Sequence, residues 1–125
     1  ERTWAANYLR RHQLADRPWL GLHVGSGGTK NLALRRWPLE RFAELIGLVH
    51  RERPGLPVLL FGGPEEQAAH AELFARLRSG PVLFPESPGL RHAAALLGHA
   101  RAFLSVDTVF MHLAAAVRVP RQFVI

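Results

Sequence analysis

The sequence predicts an α/β domain, a Rossmann-like parallel sheet with helices on both faces, and three observations predict it. Short apolar runs alternate about four times with longer stretches of helical periodicity. The connections between them are short, as right-handed βαβ units require. Turn-forming or polar residues fall directly after the apolar runs, where an open parallel sheet gathers its ligand-binding loops.

The elements follow in order. Thr3 to His12 reads as a short helix that ends before Asp16-Arg17-Pro18, because proline pushes its predecessor out of helical geometry. Trp19 to Val24 is a strand running into Gly25-Ser26-Gly27-Gly28, which no regular element tolerates. Pro38 opens a helix with Phe42, Leu45, Ile46 and Val49 at helical spacing, lasting until Pro54-Gly55. Val58 to Phe61 is an uninterrupted apolar run, the pattern of a strand covered on both faces. From Pro64 to Arg78 a helix is expected to bury Ala68, Ala71, Leu73, Phe74 and Leu77, with Glu65 and Glu66 at the positive end of its dipole. Pro81 to Phe84 is a strand, Leu90 to Leu97 a helix, Ala102 to Val106 a strand and Thr108 to Val117 a helix. Gln122 to Ile125 begins a last strand, and a chain that stops inside one reads as a piece of something larger.

The 125 residues, 48% of them hydrophobic, suffice for one domain: 1–18 as a lead-in helix or linker and 19–125 as the α/β unit. No cysteine is present, and the seven histidines lack metal-ligand spacing, so neither a metal nor a cofactor is expected. The net charge of +6 is almost wholly arginine, Lys30 being the only lysine, and it favours anionic partners. The arginines are scattered and no aromatic stacking strand accompanies them, which argues against nucleic acid. With no long apolar run and no apolar signal core, the expected location is the cytoplasm.

Three turns carry candidate chemistry. In Gly25-Ser26-Gly27-Gly28-Thr29 the glycines allow backbone amides to face an anion, and the hydroxyls add donors; a plain tight turn uses the same residues. Arg35 and Arg36 follow it, either able to clamp phosphate oxygens in bidentate fashion or to sit solvated on the surface. Gly62-Gly63-Pro64-Glu65-Glu66 brings carboxylates that can accept hydrogen bonds from ribose hydroxyls, or simply complement a helix dipole. Asp107 and Thr108 stand where a strand meets a helix, positions that serve an anion site and a helix cap equally. His112 lies one turn into an apolar helix, where a buried imidazole needs a polar partner, either a ligand or a backbone carbonyl.

In register, Gly25-Ser26-Gly27-Gly28, then Arg35-Arg36-Trp37-Pro38-Leu39-Glu40-Arg41-Phe42, Phe61-Gly62-Gly63-Pro64-Glu65-Glu66, Asp107-Thr108 with Met111-His112-Leu113-Ala114-Ala115-Ala116, and Pro120 resemble the ADP-heptose:lipopolysaccharide heptosyltransferases of glycosyltransferase family 9. The resemblance runs from about Trp19 to the end. It implies the donor-binding half of a two-domain GT-B enzyme that is inverting and metal-independent. The donor is a nucleotide-linked sugar of the ADP-heptose type, and the acceptor is a lipopolysaccharide or other surface glycan. The acceptor would be held by an amino-terminal domain outside this chain, with peripheral contact to the inner membrane. By motif position the resemblance assigns donor binding to Ser26, Gly27, Gly28, Arg35, Glu66, Asp107, Thr108 and His112. It assigns no catalytic residue to this chain, because the family's base is an aspartate of the amino-terminal domain. Three departures stand out: Val109 replaces the family's usual glycine, Arg35 its usual lysine, and Lys30 to Leu34 lengthens the first loop beyond that of many relatives. The competing readings are a UDP-sugar-using GT-B relative such as an epimerase, and a non-catalytic polyanion-binding module.

Overall fold

A computed structural model describes residues 2–24, 38–62, 67–77, 80–86, 88–105 and 109–124. Helix α1 (Arg2–Arg11) precedes strand β1 (Leu20–His23). Helix α2 (Leu39–Glu52), strand β2 (Val58–Leu60), helix α3 (Gln67–Arg76) and strand β3 (Val82–Leu83) follow. Helix α4 (Leu90–Leu97), strand β4 (Ala102–Ser105), helix α5 (Val109–Ala116) and strand β5 (Arg121–Val124) complete the order. Every element expected from the sequence is present, with ends shifted by at most a few residues.

The five strands form one parallel sheet in the order β3-β2-β1-β4-β5. Leu20 lies beside Val58 on one flank and Ala102 on the other, so β1 is the central strand. From β1 the chain winds outward to β2 and β3, then crosses back to β4 and continues the other way to β5. Right-handed crossovers in opposite directions put their helices on opposite faces. One face accordingly carries α2 and α3, which pack Phe42, Ile46, Ala69 and Leu73 against Leu22, Val24, Val58 and Leu60. The other carries α1, α4 and α5 over Trp19, Leu59, Phe61 and Phe103. Strand residues alternate between the two faces with a period of two, and both faces are covered, hence the unbroken apolar runs.

On the α1 side the core is aromatic. Phe61 meets Phe103 edge-on at 5.9 Å, and Trp19 stacks on Phe61 at 6.1 Å. Gly21 makes room for them: a Cβ there would lie 2.8 Å from Phe103 Cδ1. The lead-in helix shares this core, burying Ala5, Tyr8 and Leu9. Burial pushes the Tyr8 hydroxyl up to about 12, with Arg11 opposing the rise.

Two expectations are corrected here. The buried stripe of α3 runs through Ala69 and Leu73, with Leu77 packed beside it, whereas Ala68, Ala71 and Phe74 are exposed. Phe74 instead meets Phe84 edge-on, beyond the end of β3. In α2, Val49 is only half-buried and His50 is buried in its place, bonded through Nε2 to the Leu56 carbonyl at 2.9 Å. The His50 ring fills the space at Gly80, where a Cβ would fall 2.9 Å from the imidazole.

Candidate functional site

The strand order reverses between β1 and β4, and in an open parallel sheet the crevice for a ligand opens at such a reversal, beyond the carboxyl ends of the strands. His23 ends β1 and lies in register with Ser105, which ends β4. On the other flank Leu22 pairs with Leu60, and the Phe61 amide donates to the Leu22 carbonyl at 2.7 Å. The ends of β1, β2 and β4 are therefore side by side. The segments that carry the three candidate turns follow these ends in the chain.

Seven of the eight candidate binding residues, Ser26, Gly27, Gly28, Arg35, Glu66, Asp107 and Thr108, lie outside the described residues, as do Glu65 and Arg36. What the structure locates is the frame around them. Val24 precedes the first turn, Gly62 and Gln67 bracket the second, and Ser105 and Val109 bracket the third. His112 is described, and it is exposed rather than buried in the apolar helix. Of the two readings of His112, the core histidine tied to a backbone carbonyl is the one the structure excludes: the side chain stands in solvent, on the first turn of α5.

Three polar side chains that the motifs did not single out sit at this edge. His23 is 2% exposed, with Nδ1 donating to the Phe61 carbonyl at 2.9 Å and its ring 4.5 Å from that of Phe110 in α5. His70, in the first turn of α3, stacks on Phe84 and hydrogen-bonds to the Phe61 backbone, while its buried Nε2 finds no partner among the described residues. Burial, with His23 nearby, pushes its pKa down to about 4, the bond to Phe61 opposing the shift, so the imidazole is neutral at neutral pH. Ser105 is fully buried, and its Oγ likewise has no partner among the described residues. The available signal was positional: His23 and Ser105 are polar residues at the last positions of apolar strands, where alternation would otherwise place a core side chain.

Among the described residues no group of three His, Asp or Glu side chains is arranged to hold a metal ion, and no helix is long and apolar enough to cross a membrane.

A three-layer parallel sheet with its reversal between β1 and β4, and with candidate binding segments following the strand ends there, defines a Rossmann-like α/β domain. The sequence profile of glycosyltransferase family 9 (heptosyltransferase) matches residues 3–121, and the chain belongs to that family. Among solved structures it is similar to the family 9 glycosyltransferase of Veillonella parvula DSM 2008, at 25% identity and a TM-score of 0.80 over 96% of this chain and 33% of that one. It is similar to ADP-heptose lps heptosyltransferase II of E. coli, at 25% identity and a TM-score of 0.77 over 97% of this chain and 37% of the other. E. coli heptosyltransferase WaaC, solved with ADP-2-deoxy-2-fluoro heptose, gives 26% identity and a TM-score of 0.65 over 92% and 40% of the two chains. The chain thus spans about a third to two fifths of the length of these relatives. None of the curated proteins matches it.

Proposed function

We propose that this chain is the donor-binding domain of a cytoplasmic, inverting glycosyltransferase that moves a heptose-type sugar from an ADP-linked donor to a lipopolysaccharide or other surface glycan. The observation that carries the reading is the adjacency of the β1, β2 and β4 carboxyl ends at the reversal of strand order, in a chain of family 9. The similarity to a heptosyltransferase solved with an ADP-heptose analogue supports the choice of donor.

In this reading the amides of Gly27 and Gly28 and the Ser26 hydroxyl receive the diphosphate, and Arg35 clamps its oxygens. Glu66 accepts hydrogen bonds from the ribose, and Asp107, Thr108 and the exposed His112 line the sugar and diphosphate. The acceptor oxygen attacks the anomeric carbon opposite the diphosphate, whose bond to that carbon breaks as the new one forms. The acceptor proton passes to an aspartate in an amino-terminal domain. This chain's contribution is to orient the donor and to stabilise negative charge growing on the leaving diphosphate.

Calorimetry of the full-length protein with ADP-sugars, UDP-sugars and the free nucleotides tests the proposal. Saturable, ADP-selective binding is expected, weakened roughly tenfold or more by Asp107→Ala, about the loss of one charge-assisted hydrogen bond. UDP selectivity would point to the epimerase-like alternative, and steeply salt-dependent binding without nucleotide selectivity to the polyanion module.

A further inference from the structure

We propose that His23 is a positioning residue of the donor site, a buried brace that holds the strand ends together without touching the ligand. The inference rests on the donor-binding reading above. At 2% exposure the imidazole is not available to a ligand in the crevice, yet it joins three segments. It belongs to β1, it donates from Nδ1 to the Phe61 carbonyl just beyond β2, and its ring packs on Phe110 in the first turn of α5. A carbonyl can only accept, so Nδ1 carries the proton. His70 of α3 hydrogen-bonds to the backbone of the same residue, Phe61.

Each of these attachments borders a candidate binding stretch. Val24 alone separates His23 from Gly25, Gly62 and Gln67 flank the segment with Glu66, and Phe110 comes two residues after Thr108. In the donor-binding reading three turns from three distant parts of the sequence must meet one nucleotide-linked ligand, and their relative placement depends on how the β1, β2 and α5 ends are fixed. Misplacing a binding group by about 1 Å can cost on the order of a hundredfold in function. The bond from the last side chain of β1 to the Phe61 carbonyl fixes the distance between the β1 and β2 ends, which an aliphatic residue at that position would not.

Two variants of the full-length protein separate the edge from the face. Asparagine places its amide nitrogen on Cγ where histidine has Nδ1, so His23→Asn keeps the bond to Phe61 and loses the ring. His23→Phe keeps the ring on Phe110 and loses the bond. With ADP as the probe in calorimetry, His23→Phe is expected to weaken binding about tenfold, the effect of roughly 1.4 kcal/mol. His23→Asn is expected to stay within about threefold of wild type, whatever it does to the melting temperature. Affinities that simply follow the melting temperatures of the two variants, or an unchanged affinity in His23→Phe, would overturn the proposal. Should His23→Phe fail to fold, nitrogen-15 NMR of the wild type decides. The Nδ1–H tautomer, with exchange of that proton slowed by ADP, supports the brace. The Nε2–H tautomer, or exchange indifferent to ADP, refutes it. A wild-type protein that binds neither ADP nor UDP removes the donor-binding reading itself, an outcome distinct from any of these.

Discussion

The two faces of the sheet solve the same packing problem with different side chains. Over α2 and α3 the core is mostly aliphatic, built from Leu22, Val24, Leu39, Ile46, Val58, Leu60 and Leu73 around one phenylalanine, Phe42. Over α1, α4 and α5 it is built around Trp19, Phe61, Phe103 and Phe110, with Gly21 beneath the Phe103 ring. Aliphatic side chains fill space with little directional demand, whereas rings take defined edge and face geometries. The aromatic face is also the one on which His23 meets Phe110. The comparison teaches that the directional, ring-built half of the core lies on the face that carries α5 and Phe110, and the aliphatic half lies on the opposite face.

Three measurements break or sharpen this contrast. The largest effect is expected from Phe103→Ala, which empties the middle of the aromatic side; equilibrium urea unfolding is expected to show a loss of about 3–5 kcal/mol. A loss below 1 kcal/mol would mean that the rings can collapse onto one another and that this face is no more specific than its counterpart. Gly21→Ala comes next, because the new methyl must displace the Phe103 ring. About 1–3 kcal/mol is expected from such overpacking, read as a lower urea midpoint with an unchanged slope.

The third measurement belongs to the α3 side and to pH. The unfolded His70 titrates near 6.5 and the folded one near 4, so within that window the unfolded chain binds more protons. Stability present above about pH 6.5 is therefore expected to decline as the pH falls through the window, the His70 share being lost by about pH 4. Unfolding curves for wild type and His70→Asn, collected from pH 7 to 4, are expected to converge at the acid end. Parallel curves would show that His70 does not titrate as its burial implies.

The alternation of strand and helix was legible because both sheet faces are covered, which makes strands such as Val58–Leu60 continuous apolar runs bracketed by proline and glycine. The face of α3 was not. Phe74 looked like a core residue by composition, yet the step from Ala69 to Leu73 to Leu77 is the one that meets the sheet, and Phe74 finds Phe84 past its edge. The exposure of His112 was illegible for a related reason: a helix as apolar as Val109–Ala116 gives no contrast from which to tell its inner side. The partners of His23 and His50 were illegible because both are backbone carbonyls, at Phe61 and Leu56, and a carbonyl leaves no trace in residue type. Of the candidate site, the sequence pointed to the turns, and the structure adds the buried imidazoles that stand behind them.

The contact between His50 and Gly80 carries a consequence for how this fold can diverge. Because the imidazole occupies the volume that any side chain at position 80 needs, neither position is free to drift alone. An alanine at 80 is tolerated only beside a smaller residue at 50, and that residue must still answer the carbonyl of Leu56 or leave it to water. Descendants of this chain are thereby expected to exchange the two positions as a pair, a correlated substitution between a helix end and the approach to an outer strand 30 residues later.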